Sequence, residues 1–184
     1  MSIHSIESLQ KFIDQGGKPE YVFFWGHRQS GSNITKSCFS QWFPAGFVVD
    51  SVQYKSAEHF MMAEKAKLFG DSDIHQKIIE AETPDEAKSL GRKVKGFLSD
   101  IWDEKRFDIV VKGNLAKFSQ NEPLKNYLLS TGSKILVEAS PVDGIWGIGL
   151  AEADERVKSP TLWQGLNLLG FALMKTRDQI KTII

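Results

Sequence analysis

The sequence is poor in cysteine, and this scarcity excludes several classes of protein. Cys38 is the single cysteine among 184 residues, so neither an intramolecular disulfide nor a cysteine-rich zinc site can form. A lone thiol fits a reducing compartment, and the sequence predicts a cytoplasmic protein. Because Cys38 has aromatic neighbours and no nearby histidine to act as a base, we interpret it as a buried structural thiol.

The chain also lacks an excess of charge of either sign and a long apolar run. Lys plus Arg and Asp plus Glu both number 23, so the formal net charge is zero. A neutral chain has no global attraction to nucleic acid or to an anionic membrane, although a local basic patch stays open. No apolar run approaches the roughly 20 residues that span a bilayer, and the first residues show no signal-peptide pattern. We therefore predict no membrane partner.

Metal-binding and dinucleotide-binding motifs are missing as well. The four histidines are scattered, and His59 and Glu64 do not have the i,i+4 spacing of helical zinc ligands. The glycines of residues 144–149 follow the order G-x-x-G-x-G, whereas dinucleotide-binding turns have G-x-G-x-x-G. The sequence predicts neither a metal nor a cofactor.

The hydrophobic pattern predicts an α+β fold, a helix-rich single domain with a small β-sheet. Residues 21–25 and 134–140 are typical of strands, and residues 47–54 of a hairpin. Helices are predicted to begin at four capping residues, namely Ser56, Thr83, Ser99 and Ser159. The expected domain comprises residues 1–184, with its core at about 21–180.

Residues 55–67, KSAEHFMMAEKAK, place a carboxylate and an amine on one face of a predicted helix. Glu58 and Lys65 are nearly two turns apart, so both side chains leave on the same face, about 10 Å apart along the axis. That is too far for the usual i,i+4 ion pair. The pair suits a site that flanks a sugar or a phosphate; the alternative is a solvent-facing charged stripe.

Residues 141–150, PVDGIWGIGL, follow a predicted strand and have two interpretations. Backbone N–H groups at Gly147 and Gly149 can approach an anionic ligand, and Asp143 would join Glu58 as two carboxylates for acid–base work at a glycosidic bond. The alternative is an Asx turn made by Asp143, beside a tryptophan, Trp146, that belongs to the core.

Two further sets of side chains are candidates for ligand contact. Trp42 and Trp102 are flanked by polar residues, which suits stacking on a base, although a tryptophan is more often a core residue. Arg28 lies with Ser30 and Ser32 in a polar loop that is either a phosphate-binding segment or merely solvated.

Four segments of the chain resemble the NADAR family, the YbiA-like N-glycosidases. The resemblance runs from Tyr21 to Arg177 and depends on an ordered set of motifs: A-E-H, K-F, V-E-A-S-x-x-D-x-x-W-G-I-G and G-x-N-L-L-G. The segments that carry these motifs are residues 34–71, 107–121, 136–150 and 163–177. No single motif would be specific, whereas their combination is.

The resemblance implies a hydrolase of N-glycosidic bonds and two classes of substrate. One class is the early ribosylamino-pyrimidine phosphates of riboflavin biosynthesis, and the other is ADP-ribose attached to guanine, including guanine in nucleic acid. Glu58 corresponds to the helix glutamate of the family, Lys65 to the lysine two turns later, and Asp143 to the aspartate before W-G-I-G. Trp102 and Trp146 correspond to tryptophans near the pocket. The alternative function is a non-catalytic module that binds ADP-ribose or a nucleotide.

The chain departs from some members of the family at Ser40-Gln41, where those members have Ser-Asn. Glutamine keeps the amide but lengthens its reach. The resemblance therefore indicates the type of reaction more firmly than the identity of the substrate.

Overall fold

The computed structural model of the protein describes residues 3–29 and 31–183. These residues hold seven α-helices and four short strands, which confirms the helix-rich α+β class. The helices are α1 (Ile6–Asp14), α2 (Ala57–Leu68), α3 (Ser72–Glu80), α4 (Pro84–Gly91), α5 (Ser99–Gln120), α6 (Glu122–Ser130) and α7 (Leu168–Ile183). The strands are β1 (Tyr21–Phe24), β2 (Phe47–Val49), β3 (Val52–Tyr54) and β4 (Ile135–Glu138).

The described residues form two compact units. One unit contains the residues up to Ser40 and those from Asn126 onward, and the other is Gln41–Lys125. The first therefore consists of two separate stretches of chain, and the second of one continuous stretch. The single domain with a core at about 21–180 stays a prediction.

The first unit is built around β1 and β4, which pair in parallel with Phe24 opposite Glu138. Helix α7 packs on β4, and its apolar residues Phe171 and Leu173 are fully buried. The strands predicted at 21–25 and 134–140 are present but shorter. β1 ends at Phe24, and the next side chain, Trp25, is exposed.

Asn167 holds β4 on the edge opposite β1. Its side-chain Nδ2 donates to the Leu136 carbonyl, and the Glu138 N–H donates to its Oδ1, both at 3.0 Å. The backbone N–H of Asn167 donates to the Gly147 carbonyl at 3.0 Å. Asn167 thus takes the place of a neighbouring strand and ties β4 to residues 139–150.

The prediction that the C-terminal helix begins at Ser159 is wrong. Residues 160–162 form a short 3-10 turn, and α7 begins only at Leu168. Asn167 has a φ of 53°, a left-handed conformation that cannot continue a helix. A Cβ at Gly165 would overlap the Gly147 carbonyl oxygen, so this glycine serves a close backbone approach in a loop.

The second unit is organised by α2, which contacts α3, α4 and α5. The hairpin β2–β3 turns at Asp50 and Ser51, whose φ angles of 51° and 65° are those of a tight hairpin turn. An aromatic cluster joins the hairpin to α2, since the rings of Tyr54 and Phe60 meet edge to face at 5.1 Å.

Two of the four predicted capping residues are confirmed. Ser56 and Thr83 cap α2 and α4 through their side chains. Ser99 was expected to cap α5, but it is the first helical residue, and the N-cap position is taken by Leu98, which makes no side-chain cap hydrogen bond. An apolar N-cap leaves the first N–H groups of a helix to other acceptors or to water.

Candidate functional site

Glu58 lies in the first turn of α2, inside the unit Gln41–Lys125. Its side chain is only 3% exposed, so the solvent-facing alternative is wrong for this residue. The backbone N–H of Glu58 donates to the Gln41 carbonyl at 2.9 Å, which fixes the start of the helix against the preceding segment. A buried carboxylate is costly to maintain without polar surroundings, and such a position is characteristic of functional carboxylates.

Gln41 and α5 carry further buried polar side chains in this unit. Asn114 is fully buried, and its Nδ2 donates to the Gln41 Oε1 at 2.9 Å and to the Val110 carbonyl at 2.9 Å. Lys117, three residues further along α5, is also fully buried, with its Nζ 5.7 Å from the centre of the Phe43 ring. Buried amides and amines are expensive away from catalytic or binding sites. The amide of Gln41, where the chain departs from its family, is therefore engaged in a buried interaction.

Lys65 lies further along α2 in a partly aromatic environment. Its Nζ donates to the Gly91 carbonyl at 2.9 Å and lies 4.3 Å from the Phe97 ring centre and 5.6 Å from that of Trp102. Burial lowers the pKa of Lys65 below the ordinary lysine value, and the charge of Arg92 lowers it further. The structure thus brings together two of the predicted residues, Lys65 and Trp102, around an amine that loses its proton more easily than usual.

Trp42 is half-buried in the same unit, and it has a cation beside it. The Nζ of Lys88, on α4, lies 5.6 Å from the centre of the Trp42 ring. One face of the indole is therefore engaged with a cationic side chain of the protein. Trp102, on α5, is 9% exposed, so it is closer to a core residue than to an open stacking platform.

In the other unit, Asp143 forms the Asx turn that was its alternative interpretation. Its Oδ1 accepts the N–H groups of Ile145 and Trp146, both at 2.8 Å. Its carbonyl oxygen accepts the N–H of Gly149 at 3.1 Å, so that N–H is committed to the turn, and the expectation that it faces a ligand is wrong. The turn thus uses Oδ1 and the backbone carbonyl oxygen of Asp143. A role of Asp143 in a reaction would fall to its second carboxylate oxygen, Oδ2.

Trp146 and Gly147 are held between β4 and α7. The Leu169 N–H, in the first turn of α7, donates to the Trp146 carbonyl at 3.1 Å. A Cβ at Gly147 would lie 2.8 Å from the Glu138 carbonyl oxygen, so packing alone requires glycine there. The Trp146 side chain itself is half-buried.

The predicted residues of this unit follow the carboxyl ends of its two strands. Arg28 is exposed and lies four residues beyond the end of β1, and its neighbour Ser30 lies outside the described residues. Asp143 and Gly147 lie on the segment that follows β4. The carboxyl ends of parallel strands are the usual place for a ligand in open sheets.

Sequence reasoning missed four polar or aromatic residues whose burial or contacts stand out in the structure. Trp25 was assigned to a buried strand, yet it is 57% exposed immediately after β1. Asn114 and Lys117 had a usable signal, because i,i+3 spacing puts both on one face of α5 and Lys117 belongs to the K-F motif. Gln41 was noted only as a departure from the family, and nothing in the sequence revealed its contact with Asn114.

Residues 3–29 and 31–183 contain neither a candidate metal cluster nor a candidate membrane span. No group of three or more His, Cys, Asp or Glu side chains is placed to hold a metal ion in that part of the chain. No helix there is long and apolar enough to cross a membrane.

His59, next to Glu58, makes the stability of this unit sensitive to acid. Its Nε2 lies 3.1 Å from the Ala81 carbonyl oxygen and its Nδ1 2.8 Å from the Ser56 Oγ. Burial is the main cause that lowers the pKa of His59. The unfolded chain therefore binds a proton that the folded protein does not, so stability is lost as the pH falls below about 6.5.

We expect urea unfolding to show this difference. Between pH 7.5 and pH 5, the native protein should lose more stability than His59→Gln, which cannot titrate. The partly exposed His75 provides the control: His75→Gln should retain the full pH response of the native protein. Equal pH responses in the native protein and His59→Gln would show that His59 is not responsible.

Comparison with known proteins places the chain in a family. The NADAR domain matches residues 23–181, and the chain belongs to the NADAR family. N-glycosidase R617 of Acanthamoeba polyphaga mimivirus is 48% identical over 87% of this chain and 96% of its own length. Riboflavin biosynthesis protein PYRR of Zea mays is 35% identical over 71% of this chain, but this match is only 20% of that longer protein.

A solved structure supports the same fold. The NMR structure of the E. coli protein YbiA matches with a TM-score of 0.70 at 24% identity, covering 90% of this chain and 88% of that one. The similarity confirms the YbiA-like fold that the sequence predicted.

Proposed function

We propose that this chain, a hydrolase that acts on N-glycosyl compounds, cleaves the bond between a base and a ribose phosphate or ADP-ribose. Two substrate classes are proposed: ribosylamino-pyrimidine phosphates of riboflavin biosynthesis and ADP-ribosylated guanine, free or in nucleic acid. The N-glycosidase and riboflavin names of relatives support the first class, and the family resemblance supports both. The observation that carries the proposal is the burial of Glu58 at 3% exposure, nearly two turns before a lysine with a lowered pKa on the same helix.

Glu58 is assigned to the charge that develops in the transition state. An N-glycoside breaks through a state with positive charge on the sugar ring. A carboxylate held away from bulk water stabilises such charge more strongly than one in solvent. Glu58 either stabilises the ring directly or takes a proton from the attacking water.

Lys65 is assigned to the anomeric carbon. Its lowered pKa raises the fraction of neutral amine, which is the nucleophilic form. The Nζ attacks the anomeric carbon, the bond to the base breaks, and the base leaves with a proton from a neighbouring acid. The sugar ring opens to an imine on Lys65, and water then hydrolyses the imine to release the sugar and restore the amine. If Lys65 instead holds a phosphate or a sugar oxygen, no covalent adduct forms.

Two incubations test the proposal. The protein is mixed separately with ADP-ribosylated guanosine and with a ribosylaminouracil phosphate, and free base and free sugar are followed by mass spectrometry. Release of base from one of them identifies the substrate class. Release from neither, with tight binding of one, would make the chain a nucleotide-binding module without hydrolase activity.

The proposed role of Asp143 can be separated from its role in the turn. Asparagine has a carbonyl oxygen in the place of Oδ1, so Asp143→Asn should keep both hydrogen bonds of the turn and the native melting temperature. If the charge takes part in the reaction, turnover should fall at least about 100-fold. Asp143→Ala loses both bonds and should cost about 1–3 kcal/mol of stability. Native turnover in Asp143→Asn would restrict Asp143 to holding the turn.

A further inference from the structure

A cavity of about 560 Å³ opens at the amino ends of β1 and β4. Its walls come from the residues before β1, from the turn at 130–134 before β4, and from α1 and the last turns of α7. The candidate residues Asp143 and Gly147 follow the opposite, carboxyl end of β4. The cavity therefore belongs to a part of the molecule that the proposed hydrolase chemistry does not use.

The charge of this cavity is predominantly positive. Its cationic side chains are Lys18, Lys134, Arg177 and Lys181. Only two carboxylates, Glu20 and Asp178, line it. Glu20 lies 3.3 Å from Lys134, and Asp178 lies 3.2 Å from the His4 ring nitrogen. Cationic side chains thus outnumber carboxylates on this concave surface, which favours an anion.

Arg177 is the buried member of this set. It is only 3% exposed, and its Nη1 donates to the Thr131 Oγ1 at 2.7 Å and to the Lys134 carbonyl at 2.9 Å. Its Nε has no hydrogen-bond partner among the described residues. A buried guanidinium with an unsatisfied donor is costly, and guanidinium groups are well matched to the oxygens of phosphate. The protein therefore holds a rigid, pre-positioned cation at the wall of the cavity.

We propose that this cavity is a second binding site, which takes the phosphate group of a small phosphorylated molecule. Arg177 and the rim lysines Lys134 and Lys181 contact the phosphate. The apolar side chains of Phe12 and Met174 lie along the same cavity and contact the organic part of the ligand. The volume is that of a small-molecule pocket rather than of a surface that tracks nucleic acid.

An NMR titration of the full chain tests this proposal without any measurement of turnover. The probes are inorganic phosphate, phenyl phosphate and a short single-stranded oligonucleotide, all at one ionic strength because screening alters every charged contact. We expect saturable shifts of the amide signals of residues 131–135 with both phosphates, and tighter binding of phenyl phosphate. Shifts with the oligonucleotide alone, or no saturable shift with any probe, would overturn the proposal.

Paired lysine variants supply the matched control. The double variant Lys134→Gln with Lys181→Gln removes two exposed rim charges and should weaken phenyl phosphate binding about tenfold. The double variant Lys11→Gln with Lys158→Gln removes two exposed charges of the same unit outside the cavity, and its affinity should be native. Equal weakening in both double variants would mean nonspecific attraction and would overturn the proposed site.

Discussion

Glu58→Gln is expected to reduce turnover by about 10²- to 10⁴-fold, while the protein stays folded. Glutamine has the same shape as glutamate, so the first turn of α2 and the buried packing around position 58 should persist. What is lost is the negative charge that would stabilise the sugar cation or accept a proton. The measurement is base release under single-turnover conditions, together with the melting temperature of the variant.

A second glutamate on the same helix provides the control. Glu64, whose side chain is 16% exposed, lies 3.6 Å from Lys67 in an i,i+3 pair, so Glu64→Gln removes a second negative charge from the same helix. Its turnover should be native. A native rate in Glu58→Gln would remove Glu58 from the reaction, and an equal loss in both variants would point to the charge of the helix as a whole.

Trapping with borohydride is expected to attach the sugar to Lys65 during turnover. Reduction converts an imine into a stable secondary amine, so intact-protein and peptide mass spectra would show one sugar on residue 65. Lys65→Ala should lose the adduct and about 10³-fold or more in turnover, as happens when a nucleophile is removed. Absence of an adduct under turnover would restrict Lys65 to binding.

A pH–rate profile and a control at a neighbouring lysine, Lys67, test the same assignment of Lys65. Because burial lowers the pKa of Lys65, the rate should rise with pH and level off below the ordinary lysine value of about 10.4. Lys67, whose side chain is 61% exposed, is two residues further on the same helix. Lys67→Ala should keep both the adduct and the rate, whereas an adduct that moves to other lysines would indicate nonspecific labelling.

Local signals in the sequence were sufficient for the two strands, the hairpin and the starts of α2 and α4. Ser56 and Thr83 cap their helices because short polar side chains satisfy the first N–H groups wherever the chain folds. The start of α7 could not be predicted, since it depends on the left-handed Asn167 and on the approach of Gly165 to a distant backbone. Both features come from tertiary packing rather than from local propensity.

The candidate site was predictable only in its parts. Helical spacing put Glu58 and Lys65 on one side of α2, but spacing carries no information on how deeply a charged residue is buried. The buried contact between Gln41 and Asn114 joins segments far apart in sequence, so no periodic pattern reveals it. For Asp143, the sequence allowed either an Asx turn or a catalytic carboxylate. The structure shows the Asx turn, and the catalytic role stays a prediction.

The parallel pairing of β1 with β4 sets an order of events during synthesis. β1 leaves the ribosome early, but its partner follows only after the whole of Gln41–Lys125 has been made. That middle stretch has its own hairpin, helices and buried aromatic cluster, and its contacts are local enough to form first. Until β4 is made, the backbone groups of β1 that pair with it have no partner strand. An unpaired apolar strand favours aggregation of the nascent chain. Completion of the unit that contains β1 therefore depends on residues made after Gln41–Lys125.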